Sequence, residues 1–186
     1  GIYTANPKIV KQSFPIKFLS YKEAMELSHF GAEVLYPPTV KPVMEKNIPV
    51  YIRNTFDNKK PGTIISVNSD SNSTVKGITH IKKIALLTIE GSGMIGVPGF
   101  SKKLFDEISS NNINIIMITQ ASSEHSICIG IQESEAVKAK KLVDNAFKYE
   151  IESNILNPCK IEDKLSIIAL VGDKMKNHQG ISGKMF

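Results

Sequence analysis

Cysteine is scarce. Cys128 and Cys159 are the 2 thiols among 186 residues; they lie among apolar or strand-forming neighbours, and no C-x-x-C spacing joins them. That excludes a disulfide scaffold and a cysteine-based zinc site and leaves two buried thiols. Histidine is equally thin. Of the 4 histidines, His29, His80 and His178 stand alone without H-E-x-x-H or comparable ligand spacing, so no metal centre is expected. Long hydrophobic runs are missing too. Stretches such as Ile113–Ile118 fall far short of the ~18–20 residues that span a bilayer, and no charged-then-apolar leader opens the chain. No membrane partner is expected, and the cytoplasm is the default compartment.

The composition itself is ordinary. At 41% hydrophobic and 22% charged, it excludes disorder and collagen-like repeats, and the length suits one large domain or two small ones. Twenty-three basic against 18 acidic residues give a charge of +5 and a pI near 9.1. The lysines are spread from Lys8 to Lys184 rather than gathered, so no nucleic-acid partner is expected.

An internal repeat carries more information. Ile84–Phe105 (IALLTIEGSGMIGVPGFSKKLF) aligns without a gap on Leu165–Phe186 (LSIIALVGDKMKNHQGISGKMF), at a constant offset of 81. Six of the 22 positions are identical: Gly91 with Gly172, Met94 with Met175, Gly99 with Gly180, Ser101 with Ser182, Lys103 with Lys184, and Phe105 with Phe186. The first copy runs on through ~45 further residues, whereas the second reaches only Phe186, so the chain is expected to end inside a domain. At the other end, Gly1-Ile-Tyr-Thr-Ala-Asn-Pro reads as the end of a strand entering a turn, with something preceding it.

Local patterning orders the rest. Residues 19–30 read as a helix with Ser20 as N-cap, Glu23 as capping-box partner and Gly31 at its end. Pro38–Lys46 reads as a second helix, with Val40, Val43 and Met44 on one face. Pro49–Asn54 and Gly62–Val67 read as strands around a turn at Asp57–Gly62, and the polar run Asn68–Thr74 as a linker at a domain boundary. Beyond it come strand Ile84–Glu90, a glycine loop Gly91–Gly99, helix Phe100–Asn111, strand Ile113–Gln120 and strand Ser126–Ile131. Helix Ser134–Phe147 and a strand near Ile155–Ile161 complete the series. This βαββαβ order is the split-βαβ, ferredoxin-like arrangement.

The glycine loop joins a strand to a helix N-terminus, where unpaired N–H groups and the helix dipole can hold a carboxylate or phosphate. It lacks the lysine of a P-loop and the spacing of a dinucleotide fingerprint. Gln120 lies at a strand end with both amide donor and acceptor to offer. Adjacent Ser123, Glu124 and His125 do not make a triad, because neighbours in a turn point apart and no third partner is identifiable. No catalytic residue is assigned. From the residues alone, the chain is a small-molecule-binding module of paired ferredoxin-like domains.

Several segments together resemble aspartate kinase: Gly1-Ile-Tyr-Thr-Ala-Asn-Pro, Ser20-Tyr-Lys-Glu-Ala-Met-Glu-Leu-Ser-His-Phe-Gly-Ala, Val34-Leu-Tyr-Pro and Pro61-Gly-Thr. Ile118-Thr-Gln-Ala-Ser-Ser-Glu-His-Ser126 and Ile167-Ile-Ala-Leu-Val-Gly-Asp resemble its regulatory ACT domains, most closely those of the threonine-sensitive class fused to homoserine dehydrogenase. The resemblance implies the end of an amino-acid-kinase α/β domain (1–67), a linker (68–75), a first ACT domain of α+β type (76–161) and the start of a second (162–186). It implies a parent enzyme that uses ATP and magnesium to phosphorylate the side-chain carboxylate of aspartate, opening synthesis of threonine, methionine, lysine and isoleucine. The family's Lys-Phe-Gly-Gly-Thr-Ser nucleotide motif is absent, so these residues alone are expected neither to catalyse nor to carry a cofactor.

By the same resemblance, Tyr3, Lys8, Glu33 and Val34 fall at ATP-contacting positions. Lys8 stands where arginine is usual, keeping the charge without the bidentate fork. Glu33 stands where many members have lysine, and Asn6 where aspartate is usual. The effector positions are Met94, Ile95, Gly96 and Val97 in the loop, with Asn114, Ile118, Thr119 and Gln120. Lysine-sensitive members place an acidic residue at the position of Ile116. Gln120 matches the glutamine of threonine-sensitive members, which favours threonine as the effector. Homo-oligomers form through ACT domains in this family. The alternatives are a lysine-sensing monofunctional kinase and an ACT-type oligomerisation module without a ligand.

Overall fold

The computed structural model describes all residues except 31–34, 58, 68–72, 96–97, 121–124 and 186. Two compact units result, one of residues 1–81 with 167–186, the other of residues 82–166.

In the first unit, helix α1 (Tyr21–His29) follows strand β1 (Phe18–Ser20) directly. The Ser20 hydroxyl accepts from the Glu23 N–H at 3.0 Å, and the Glu23 carboxylate accepts from the Ser20 N–H at 2.9 Å. This is the reciprocal capping box expected from the sequence. Helix α2 (Pro37–Glu45) starts on proline, whose missing N–H costs nothing there. Strands β2 (Val50–Ile52) and β3 (Thr63–Ser66) complete a sheet in the order β1-β3-β2, with β1 parallel and β2 antiparallel to β3. Leu19, Ala24, Leu27, Val40 and Ile65 bury its core, together with Val171 from the far end of the chain. The N-terminal segment is not a regular strand. Ile2–Thr4 instead pairs locally with Phe14–Ile16, Thr4 N–H donating to Phe14 and Ile16 N–H to Ile2.

The second unit is built from β4 (Gly77–Glu90), α3 (Phe100–Ser110), β5 (Met117–Gln120), β6 (Ser126–Gln132), α4 (Ala136–Ala146), a short α5 (Lys148–Glu152) and β7 (Lys160–Val171). The sheet order is β5-β6-β4-β7, with β6 antiparallel to both neighbours whose register is defined. That is the ferredoxin-like order. Ala85, Leu87 and Ile89 on β4 and Ile127, Ile129 and Ile131 on β6 share a core with Leu104 and Ile108 of α3 and Ala139 and Val143 of α4. Alternation along the strands and 3.6-residue spacing on the helices place these side chains together.

Several element boundaries differ from the sequence reading. The strand expected at Ile84–Glu90 already begins at Gly77. The helix expected at Ser134–Phe147 is a 3-10 turn at Glu133–Glu135 followed by α4, and α5 continues past it after a break at Phe147. Strand Ile113–Gln120 begins only at Met117, because the Ile113 N–H turns back to the Ile108 carbonyl. The strand expected at Ile155–Ile161 starts at Lys160 and continues to Val171. The Ile155 and Leu156 N–H groups both donate to the Glu150 carbonyl and are withdrawn from any ladder.

The two long strands, β4 and β7, are repeat counterparts. Each holds one left-handed lysine, Lys83 at φ 59° and Lys164 at φ 58°, and each runs from one compact unit into the other. In the second unit Asn157 N–H donates to Glu90 O at 2.9 Å; in the first, the equivalent Lys76 N–H donates to Val171 O at 2.7 Å. Gly91 and Gly172 are glycines for want of room rather than for their dihedrals. A Cβ on Gly91 would stand 2.4 Å from Ile155 O, and one on Gly172 would stand 2.2 Å from Thr74 O. Ile155 and Thr74 are themselves separated by the repeat offset, so the repeat extends N-terminally beyond the part visible as sequence identity.

Candidate functional site

The glycine loop leaves the end of β4, turns through a 3-10 segment at Ser92–Met94 and enters α3 from Gly99, which has φ 104°. Its first N–H, on Gly91, donates to His125 O at 3.0 Å, and Gly93 N–H donates to Ile155 O at 3.2 Å. Ser92 is exposed and its N–H has no partner among the described residues. No acidic residue lies in the first turn of α3, and no side chain caps it. The loop therefore offers backbone donors beside a helix N-terminus to an incoming anion.

Register places Gln120 near this loop. Gln120 on β5 faces Ile127 on β6, which faces Ile89 on β4, so the last residue of β5 and the loop share one end of the sheet. Two strand spacings separate them, about 10 Å. Gln120 and Ile118 lie on the helix-covered face of the sheet and are exposed at its edge, Ile118 by 53%. Thr119 opposes Cys128 on the other face, as the two-residue period requires.

The remaining expected effector positions divide. Ile95 is exposed on the loop, whereas Met94 is 4% exposed and packs into the core, its N–H engaged by the Gly91 carbonyl. Its side chain anchors the loop rather than facing a ligand. Asn114 is exposed but precedes β5, at the end remote from Gln120. Five residues lie between them, and β5 alone puts Gln120 about 10 Å beyond Met117, so one amino acid cannot touch both within this unit. Gly96 and Val97 lie outside the described residues.

Nearby charge is already paired. Glu90, at the end of β4, hydrogen-bonds the Lys160 ammonium, which holds its carboxyl below the usual range. Lys103 of α3 bonds Glu150 at 2.6 Å and lies 4.5 Å over the Phe147 ring. Neither cation is poised for an effector carboxylate, which leaves that task to the backbone.

In the first unit, Tyr3 lines a cavity of about 500 Å³ together with Lys17, Arg53 and Lys60. The Arg53 guanidinium lies 5.9 Å from the Tyr51 ring centre, and Lys60 pairs with Asp57 at 3.1 Å. Lys17 and Arg53, which form no ion pair among the described residues, leave the cavity with positive charge that suits an anionic ligand. The resemblance to aspartate kinase singled out Tyr3 and not Lys17, Arg53 and Lys60, which the fold gathers around it. Lys8 is exposed and does not line the cavity; its N–H donates to the Asn6 side chain at 3.0 Å in an Asx turn. Asparagine performs that turn-forming task as aspartate would. Glu33 and Val34 lie outside the described residues. Among the described residues no three His, Cys, Asp or Glu side chains gather as a metal site. Among them, too, no helix is long and apolar enough to cross a membrane.

Residues 1–54 match the amino acid kinase family and residues 87–147 match the ACT domain. Over its whole length the chain is 41% identical to the chloroplastic bifunctional aspartokinase/homoserine dehydrogenase of Daucus carota, covering 21% of it. It is 41% identical to the bifunctional enzyme of Haemophilus influenzae, again over all of this chain and 23% of that one. The chain belongs to the aspartate kinase family. Its fold agrees: the aspartate kinase of Clostridium acetobutylicum superposes on all of this chain, over 42% of its own length, with TM-score 0.86 and 28% identity. The aspartate kinase segment described here spans about a fifth of the curated relatives' length. It comprises part of an amino-acid-kinase domain and an ACT regulatory region, as the resemblance implied.

Proposed function

We propose that this segment binds threonine and relays its presence to the kinase of which it is part, which transfers the ATP γ-phosphoryl group to aspartate. The observation that carries the reading is the shared sheet end, where the exposed Gln120 closes β5 two strand spacings from the end of β4, and the loop that follows β4 carries the Ser92 N–H, unpartnered among the described residues. An amino-acid carboxylate meets the loop donors, and Gln120 meets the polar side chain. The apolar Ile116 offers nothing to an ε-ammonium, which favours threonine over lysine. In the parent enzyme, ATP meets the segment beside Tyr3, where the cations of the cavity complement its phosphates. Inhibition follows if threonine binds one arrangement of the regulatory region more tightly and that arrangement weakens the kinase site.

Calorimetric titration with threonine, lysine and methionine tests the reading. Threonine-selective heat is expected, with affinity falling about tenfold or more in Gln120→Ala, as loss of one or two hydrogen bonds predicts. Undiminished threonine affinity in that variant rejects the site assignment, and lysine-selective heat rejects the effector. Heat from none of the three favours an oligomerisation module.

A further inference from the structure

Glu23 is 1% exposed, and both of its carboxylate oxygens are used. One accepts from the Ser20 N–H at 2.9 Å, closing the capping box of α1. The other accepts from the Asp173 N–H at 3.0 Å, 150 residues away in sequence. Asp173 is the first residue of the turn that follows Gly172, so it is the repeat counterpart of Ser92. The same backbone donor thus has no partner among the described residues in the first glycine loop and is held by an internal carboxylate in the second. Both partners of Glu23 belong to the first compact unit, and Val171, next to the second loop, is buried in the core that α1 builds.

We infer that Glu23 is a built-in ligand of the second glycine loop, a positioning residue that closes this loop to amino-acid carboxylates and fastens it to the N-terminus of α1. The first loop remains for the effector, a distinction that rests on the function proposed above. A carboxylate is suited to the task because it accepts from both N–H groups at once, and charge strengthens both bonds. Glutamine is not equivalent: its amide nitrogen would meet a donor.

Amide hydrogen exchange on the intact chain, with threonine and sodium acetate as probes, decides the matter. In the native sequence, threonine is expected to perturb the Ser92 amide and leave that of Asp173 unaltered. In Glu23→Ala, protection of the Asp173 amide falls about tenfold or more, the loss of one charged hydrogen bond, and acetate restores it saturably by replacing the deleted group. Ser20→Ala, which removes the cap hydroxyl and keeps the carboxylate, leaves Asp173 protection unchanged. Should Glu23→Ala fail to fold, Glu23→Gln supplies the same comparison of Asp173 protection. Unchanged protection in the folded Glu23 variants, failure of acetate to restore it, or a native Asp173 amide that responds to threonine each overturns the inference. A threonine effect at neither loop rejects the effector reading alone, because the exchange and acetate results still judge Glu23.

Discussion

Cys159 shows how a residue's surroundings fix its chemistry. It is 3% exposed, and burial, with the Asp144 carboxylate adding to it, pushes its thiol up to about 12. Its N–H donates to Asp144 at 2.8 Å, so the neighbouring charge is held in place. In the unfolded chain a cysteine ionises near ~8.5, whereas the native thiol stays protonated. The contribution to stability is therefore complete below that value and lost as pH rises from there towards about 12. Chemical denaturation should show native protein losing stability more steeply than Cys159→Ser between pH ~8.5 and ~10.5. In the folded state a thiol reagent should label half-buried Cys128 well before Cys159; equal labelling rates would contradict this account.

At the scale of elements, β4 and β7 each hold one lysine in left-handed conformation. A side chain there costs roughly 1–2 kcal/mol relative to the ordinary right-handed or extended state, and a β-branched one tolerates it least. Lys83 is exposed, so its substitution tests the backbone rather than the packing. Lys83→Gly should leave stability unchanged or raise it by up to ~1 kcal/mol, and Lys83→Val should lower it by about 1–2 kcal/mol in urea titrations. Equal stabilities for the two variants would show that the left-handed conformation at Lys83 does not persist in solution. The capping box of α1 was legible from Ser20 and Glu23, because it is a contact between residues three apart. Glu23's second bond was not, because no local pattern predicts a partner so distant.

Across the whole molecule, the repeat organises both compact units. Gly91 lies beneath Ile155–Leu156 and Gly172 beneath Thr74–Val75. Backbone atoms stand in the way at each position, so neither site can relax by rotating a side chain. Gly91→Ala and Gly172→Ala should each cost about 1–3 kcal/mol, and each should act on its own unit. Exchange should accelerate at the Asn157 amide in the first variant and at the Lys76 amide in the second, since those N–H groups close the equivalent strand contacts. Acceleration at both amides in either variant would mean that the units open as one.

By itself, the sequence determined what short-range chemistry dictates. Periodicity marked the helices and the inward face of each strand, Ser20 and Glu23 marked the start of α1, and the βαββαβ order named the ferredoxin-like unit. Shared motifs identified the aspartate kinase family. The tertiary structure decided what depends on chain crossings. It joined the expected late strand to the second repeat copy as the single strand β7, because Lys160–Val171 keeps its ladder while Ile155 and Leu156 spend their N–H groups on Glu150. It gathered Lys17, Arg53 and Lys60 around Tyr3, and parted Asn114 from Gln120 by the length of a strand. It also set Glu23 against Asp173. A hydrogen bond between residues 150 apart is fixed by where two elements meet, and local residue patterns carry no record of that meeting.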